Sequence, residues 1–497
     1  MEASRAVPGV KIPTRALSKA GSEMGRKNNC IGTASADLSR EDVAHVDRNL
    51  EYMTLGKNLP GHFGFETLNR CNVTCKMCHV AKKVESNGPE PYYRLTLDEV
   101  KRMLKEVPLK SVIFSGAYAE PFMNKEIFDI AKYVRSRGGT AASITNGTLI
   151  GGKFAKRIIE SGFSDLWVSI HGATAETAQN IMERSKFDTV VQNLKDLQAC
   201  KAEAKVSSPG VHFIFVGVKS NIRELEDLIR LAADVGALDV AVKELIRPPA
   251  VHGLDSAWWD EEDLVNHPKL LAENYQRAEQ TAKQVGVRLR TDGTYRKIVD
   301  DFGKSAPEPG TQDASTAAQT SLPIYDDRKI QPPEPGETRF CMAPFNKPNI
   351  FKNVVSPCCS KSANRSRARM GFIGEDGVFP VWDNEVYRQT RIGLLTGEGL
   401  PGFCLECERA PIVPKEVMIV HLALWLHVAC GQKKALETLR EYKAHYSLYL
   451  ETMKRLSLPL ITPPKALREE LEAESASPTP PSGMSRDRWL LEDPLSV

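Results

Sequence analysis

Cys71, Cys75 and Cys78 stand at the spacing CxxxCxxC in RCNVTCKMCHV, residues 70–80. Thiolates are soft ligands that select zinc, copper(I) or iron and sulfur. Neither His79 nor any nearby acidic residue makes a convincing fourth ligand. A structural zinc closes four positions, typically with two pairs, whereas a 4Fe–4S cube on three cysteines leaves one iron open to a further molecule. The spacing favours iron and sulfur, with zinc as the alternative. A second group, Cys341, Cys358, Cys359, Cys404 and Cys407, follows far along the chain, so eight of the eleven cysteines fall in two clusters. That clustering points to ligands rather than disulfides. Cys30, Cys200 and Cys430 read as small buried hydrophobes.

The chain around these residues is that of an ordinary globular protein. Its 497 residues are enough for two or three domains. A formal net charge of +3 makes no case for a nucleic-acid or polyanion partner. The N-terminus carries no apolar run of signal-peptide length, and no stretch of membrane-spanning length occurs. The expectation is a soluble, cytoplasmic protein with no nucleic acid and no membrane among its partners.

Elements that position the first cysteines follow from periodicity. FETLNRCNVTC reads as a strand running into the cysteine turn. RLTLDEVKRMLKEV opens with Thr96 and Glu99 spaced as a capping box and carries Val100, Met103, Leu104 and Val107 on one face. SVIFSG reads as a buried strand, and KEIFDIAKYVRSRGG as a helix ending on paired glycines. Strand and helix then alternate through TAASITN, a helix over 153–161, DLWVSI, helices across 174–203, VHFIFVGV, a helix from Ile222 to Val235, and LDVAVKEL. Such alternation predicts an α/β fold of parallel βαβ units, with chemistry at the carboxyl ends of the strands.

These motifs in this order resemble the radical S-adenosylmethionine (SAM) superfamily over roughly residues 62–300. The resemblance implies a partial (β/α)6 barrel, a SAM-binding 4Fe–4S cluster on Cys71, Cys75 and Cys78, and SAM chelated to the open iron. It further implies cleavage of SAM to a 5′-deoxyadenosyl radical that removes hydrogen from a substrate. FSGAYAEPF, 114–122, resembles the segment that contacts the SAM amino group, which makes Glu120 the candidate; alanines and a tyrosine replace its usual glycines. SITNGTLI resembles the segment that places Asn146 near the cofactor, with Gly147 in a turn; a plain Asn-Gly turn is the simpler reading. WVSIHGATAET resembles the strand whose serine, here Ser169, lies near the SAM ribose or carboxylate. His79 is expected to pack over the cluster. Trp258 and Trp259 either line the substrate mouth or pack internally.

The composition changes near residue 303, where a Pro-, Ser-, Thr- and Gly-rich stretch reads as a linker over 303–337. Beyond it, Cys341 before Pro-Phe, a two-stranded stretch ending in PCC, Trp382 and Arg391 on a helix, and CxxC resemble the SPASM or twitch auxiliary-cluster module, over 338–412. The resemblance implies a second 4Fe–4S cluster on Cys341, one of Cys358 and Cys359, Cys404 and Cys407. Cys358 is favoured because it follows Pro357, and a zinc on the same ligands is the alternative. Residues 1–60 are expected to form a partly disordered extension, 61–302 the barrel, 413–473 a helical extension and 474–497 a disordered tail.

Only Cys430 follows Cys407, so the module is expected to hold one fully ligated auxiliary cluster, an arrangement resembling that of an aminocyclitol dehydrogenase. The expected reaction is an oxidoreductase step, the two-electron oxidation of a small polar sugar- or cyclitol-like substrate. A flavodoxin or ferredoxin is the expected one-electron donor. A peptide-modifying maturase, a radical epimerase and a non-catalytic iron–sulfur scaffold are the rival readings. No general base emerges from the residues.

Overall fold

The computed structural model describes residues 50–55, 61–78, 81, 91–115, 119–246, 257–291, 293–304, 332–358, 369–405, 407, 410–456, 458 and 460–473. His79, Cys30, Cys359, most of the 303–337 linker and the 474–497 tail lie outside them. Six strands run parallel and neighbour one another in chain order: β1 (His62–Glu66), β2 (Ser111–Ser115), β3 (Thr140–Thr145), β4 (Phe163–Ser169), β5 (Gly210–Val216) and β6 (Asp239–Lys243). This is the expected partial (β/α)6 barrel. A seventh strand, β7 (Arg288–Thr291), which the periodicity did not reveal, adds in parallel to β6.

Crossover helices are α1 (Leu97–Met103), α2 (Ile127–Ser136), α3 (Lys153–Glu160), α4 (Ala175–Ile181), α5 (Phe187–Ala204) and α6 (Leu225–Asp234). The capping box forms: Thr96 N donates to Glu99 Oε2 at 2.8 Å and Glu99 N to Thr96 Oγ1 at 3.2 Å. On the helix side of the sheet, Val112, Phe114, Leu166, Val168, Val211, Phe213, Phe215, Val240 and Val242 join one core. The opposite row, with Ile113, Ile144, Trp167, Ser169, Ile214, Val216 and Lys243, stays half-buried. Parallel sheets covered on both faces bury both rows. The alternation here marks an open inner face, as a partial barrel requires. α7 (Pro268–Val285) packs against α6, and α8 (Gly293–Lys304) against α7.

The later strands are β8 (Glu337–Arg339), β9 (Asn349–Phe351), β10 (Val354–Ser356), β11 (Gly371–Phe372) and β12 (Ile412–Pro414). β9 pairs in parallel with the free edge of β1, and β10 and β11 extend it antiparallel. β8 pairs with β12 in a separate ladder. α9 (Glu385–Thr396), α10 (Lys415–Val428), α11 (Lys433–Glu441), α12 (Tyr446–Arg455) and α13 (Lys465–Ala473) close a second core with Leu50, Met53, Phe340 and Phe345. Trp382 and Arg391 do not share one helix as expected: Trp382 ends a one-turn helix, Phe379–Trp382, and Arg391 lies on α9.

Candidate functional site

β1 delivers the chain to Cys71 at the carboxyl end of the sheet. There the cysteine turn is pinned by a short antiparallel ladder, Thr74 with Glu183 and Cys75 with Met182. Lys76 N donates to Ile181 O at 2.9 Å, and Cys78 N to Cys75 O at 3.0 Å. Met77 packs on Ile181, Val218, Leu245 and Trp259, with Trp258 at the margin. Trp259 is thus a packing residue behind the cysteine turn, the internal-packing alternative. The three thiols lie close enough to act on one another electrostatically. Burial pushes the Cys71 thiol up to about 11 and raises Cys75 further. A bound cation centre is what would draw such thiols into thiolates.

Among the described residues, no three Cys, His, Asp or Glu side chains converge tightly enough to share one ion. Three soft thiols gathered on one turn and acting on one another are the donor chemistry that a 4Fe–4S cluster takes.

Glu120 follows β2 and is almost fully buried. Its Oε1 accepts from Phe122 N at 3.1 Å and Thr145 Oγ1 at 2.8 Å, and its Oε2 from Asn146 N at 2.7 Å. Its own N–H donates to Arg70 O at 3.1 Å, beside Cys71. Burial raises its carboxyl to about 7 against these hydrogen bonds. Three of roughly four acceptor positions are used, which leaves one on Oε2. Asn146 follows β3 and reaches Cys71 directly: its Nδ2 donates to Cys71 Sγ at 3.8 Å and to Asn72 Oδ1 at 2.8 Å. Thr148 Oγ1 donates to Asn146 Oδ1 at 2.6 Å and accepts from Asn72 Nδ2 at 2.8 Å. Ser169 ends β4 on the open inner face.

The structure therefore gathers Cys71, Cys75, Cys78, Glu120 and Asn146 into one network and places Ser169 on the neighbouring strand end. Sequence reasoning missed Asn72, Thr145 and Thr148. For Thr145 and Thr148 the signal was the run of short polar side chains around Asn146 in SITNGTLI, and for Asn72 its place directly after Cys71. It also missed His171, which is buried and takes Val216 N–H on its Nδ1 at 3.1 Å, leaving the proton on Nε2.

Of the second cysteine group, Cys341 follows β8 in the chain, and Cys404 and Cys407 act on Arg339 of that strand. Arg339, at its end, donates to Leu405 O at 2.8 Å and Ala410 O at 3.1 Å, bracketing the CxxC turn. Burial pulls its guanidinium below the usual range while the Cys407 and Cys404 thiols oppose that. Cys341 and Cys404 pack on the second core together. Cys358 follows β10 and acts on the Tyr387 phenol of α9. Cys404 and Cys407 thus lie beside a buried guanidinium, which suits an anionic cluster.

Residues 65–232 match the family model described as the radical SAM superfamily. An AdoMet-dependent heme synthase of Methanosarcina barkeri is 27% identical over 358 residues, 71% of this chain and 89% of that protein. A mycofactocin maturase of Mycolicibacterium smegmatis is 25% identical over 197 residues, 39% of this chain and 47% of that one, so the chain spans about half its length. Streptococcus suis SuiB bound to S-adenosylmethionine superposes with TM-score 0.49 at 14% identity, over 76% of this chain and 79% of that chain. Among the described residues, no helix is long and apolar enough to cross a membrane.

Proposed function

We propose that this chain, which matches the radical SAM superfamily through residues 65–232, is a radical SAM enzyme that catalyses a two-electron oxidation of a small polar, sugar- or cyclitol-like substrate. Cys71, Cys75 and Cys78 hold the SAM-binding 4Fe–4S cluster, and Cys341, Cys404, Cys407 and one of Cys358 and Cys359 hold an auxiliary one. When bound, the first cluster with SAM supplies hydrogen-atom abstraction, and the second an acceptor for one electron.

The protein's own part is positioning and water exclusion. The observation that carries the reading is the bridge from Asn146 Nδ2 to Cys71 Sγ, with Asn146 itself tied through its backbone to Glu120. It joins the first three strand ends around one thiolate. Glu120 keeps one acceptor position for the SAM ammonium, and Ser169 offers its hydroxyl to the ribose or carboxylate. The open inner face receives the substrate. A flavodoxin or ferredoxin is the electron source.

Anaerobically reconstituted full-length protein, reduced with dithionite, should convert SAM to 5′-deoxyadenosine. Cys71→Ala, Cys75→Ala and Cys78→Ala should each abolish this, and no 5′-deoxyadenosine from the wild type would refute the reading. About eight iron atoms per chain are expected; about four would sink the auxiliary cluster. With substrate, the product should be two hydrogens lighter, while solvent deuterium in the product would indicate epimerisation instead.

A second reading rests on the heme synthase, whose match spans most of both chains. It gives the enzyme a tetrapyrrole substrate. Titration of the reconstituted protein with porphyrins decides it: a saturable shift of the Soret band supports this reading, and none removes it.

A further inference from the structure

Tyr387 and Arg391 stand one turn apart on α9, with Trp382 on the short helix before it. The Arg391 guanidinium lies 4.4 Å over the Trp382 ring and 5.0 Å over the Tyr387 ring, whose centroids are 4.7 Å apart. All three side chains are sealed from solvent, at 1%, 0% and 1% exposure for Trp382, Tyr387 and Arg391. The Arg391 N–H groups donate to three backbone carbonyls, those of Pro344, Thr54 and Trp382, at 2.9–3.1 Å. Its hydrogen bonds end on neutral carbonyls, and burial pulls the guanidinium down to about 10 even though Tyr387 and the Asp383 carboxylate act on it through space to hold its charge.

Two further groups in the same cluster are unmet. Trp382 Nε1 and Tyr387 Oη are buried and have no hydrogen-bond partner. Each orphan donor costs about 1–3 kcal/mol, and two side by side call for an acceptor. The surroundings indicate which. Cys358 acts on Tyr387 through space, and Pro344, which anchors Arg391, lies three residues after Cys341. Sulfurs on an anionic cluster accept hydrogen bonds and compensate a cation.

We propose that Trp382 and Tyr387 donate hydrogen bonds to the sulfurs of the auxiliary cluster, and that Arg391, held between their rings, supplies compensating charge. The three are positioning residues that raise the cluster's reduction potential, because donors and cations beside the sulfurs stabilise the more negative, reduced state. The inference rests on the proposed auxiliary cluster of Cys341, Cys358, Cys404 and Cys407.

The test uses the full chain with Cys71→Ala, Cys75→Ala and Cys78→Ala, so that paramagnetic resonance during a redox titration reads the auxiliary cluster alone. In this background, Tyr387→Phe and Trp382→Phe should each lower the midpoint. The reduced-to-oxidised ratio at the parent midpoint should fall about tenfold, or about 59 mV for a one-electron couple. Tyr387→Phe should leave iron content and melting temperature unchanged, since it deletes only an oxygen. Unmoved midpoints in both variants overturn this inference and leave the cluster standing. If the background chain takes up no iron, the cluster reading falls first and this inference with it.

Discussion

Gly147 turns the chain at φ +76° directly after Asn146, and a Cβ there would lie 2.8 Å from Val190 Cγ1 and 3.0 Å from Val168 Cγ1. Gly147→Ala combines a left-handed backbone with overpacking, so urea denaturation should show a loss of about 2–4 kcal/mol. Asn146 would also be displaced from Cys71, so 5′-deoxyadenosine formation should slow at temperatures where the variant is folded. At the other end of the strands, the fully buried Asp239 accepts from His212 Nδ1 at 2.8 Å, Arg288 Nη2 at 2.9 Å and Arg290 Nη2 at 3.1 Å. Burial works to raise its carboxyl, but the hydrogen bonds from Arg288 and His212 outweigh that and hold it below the ordinary value. A depressed carboxylate contributes stability above its unfolded pKa of about 3.9, which is lost as pH falls through the folded value. Asp239→Asn should therefore cost about 2–3 kcal/mol at pH 7, at the low end for a buried network because both arginines reach solvent. The gap between wild type and variant should close as the pH is lowered below 4, measured by urea titrations across that range.

At the level of elements, α9 decides whether the second core assembles. It is capped at its start by Asn384, whose side chain accepts from Tyr387 N, and at its end by Gly397 at φ +81°. A Cβ on Gly397 would run into the Glu337 carbonyl oxygen, because β8 crosses the helix end there. Gly397→Ala is expected to destabilise the protein by about 3 kcal/mol or more, since neither backbone can yield without losing a ladder or a cap. Thermal unfolding should show it, and reconstitution should fall from about eight iron atoms per chain towards about four as the Arg339 bracket on the CxxC turn loosens. α1 behaves differently: its capping box was legible because Thr96 and Glu99 are three residues apart. The end of α9 was not, because the obstacle to a Cβ comes from residue 337.

Across the whole molecule, the barrel sheet is finished by the chain that follows the linker. β9 covers the outer edge of β1, with Gly64 N donating to Pro348 O at 3.0 Å. Residues 1–331 expressed alone would leave that edge unpaired and prone to edge-to-edge association. Light scattering should find the fragment as large oligomers at concentrations where the full chain is not, and a stable monomeric fragment would contradict this. By itself the sequence determined which soft donors the chain carries, the strand–helix alternation of the six parallel strands and the CxxxCxxC and CxxC spacings. Each of these is written in residues a few positions apart, within reach of helical or strand periodicity. Only the tertiary structure decided that Glu120 spends two acceptor positions on the end of β3, that Asn146 meets Cys71 from 75 residues away, that a hairpin from the second cysteine region completes the first sheet, and that Trp382 and Tyr387 are buried with unmet donors. These depend on which distant surfaces exclude water together, and local spacing carries no record of that.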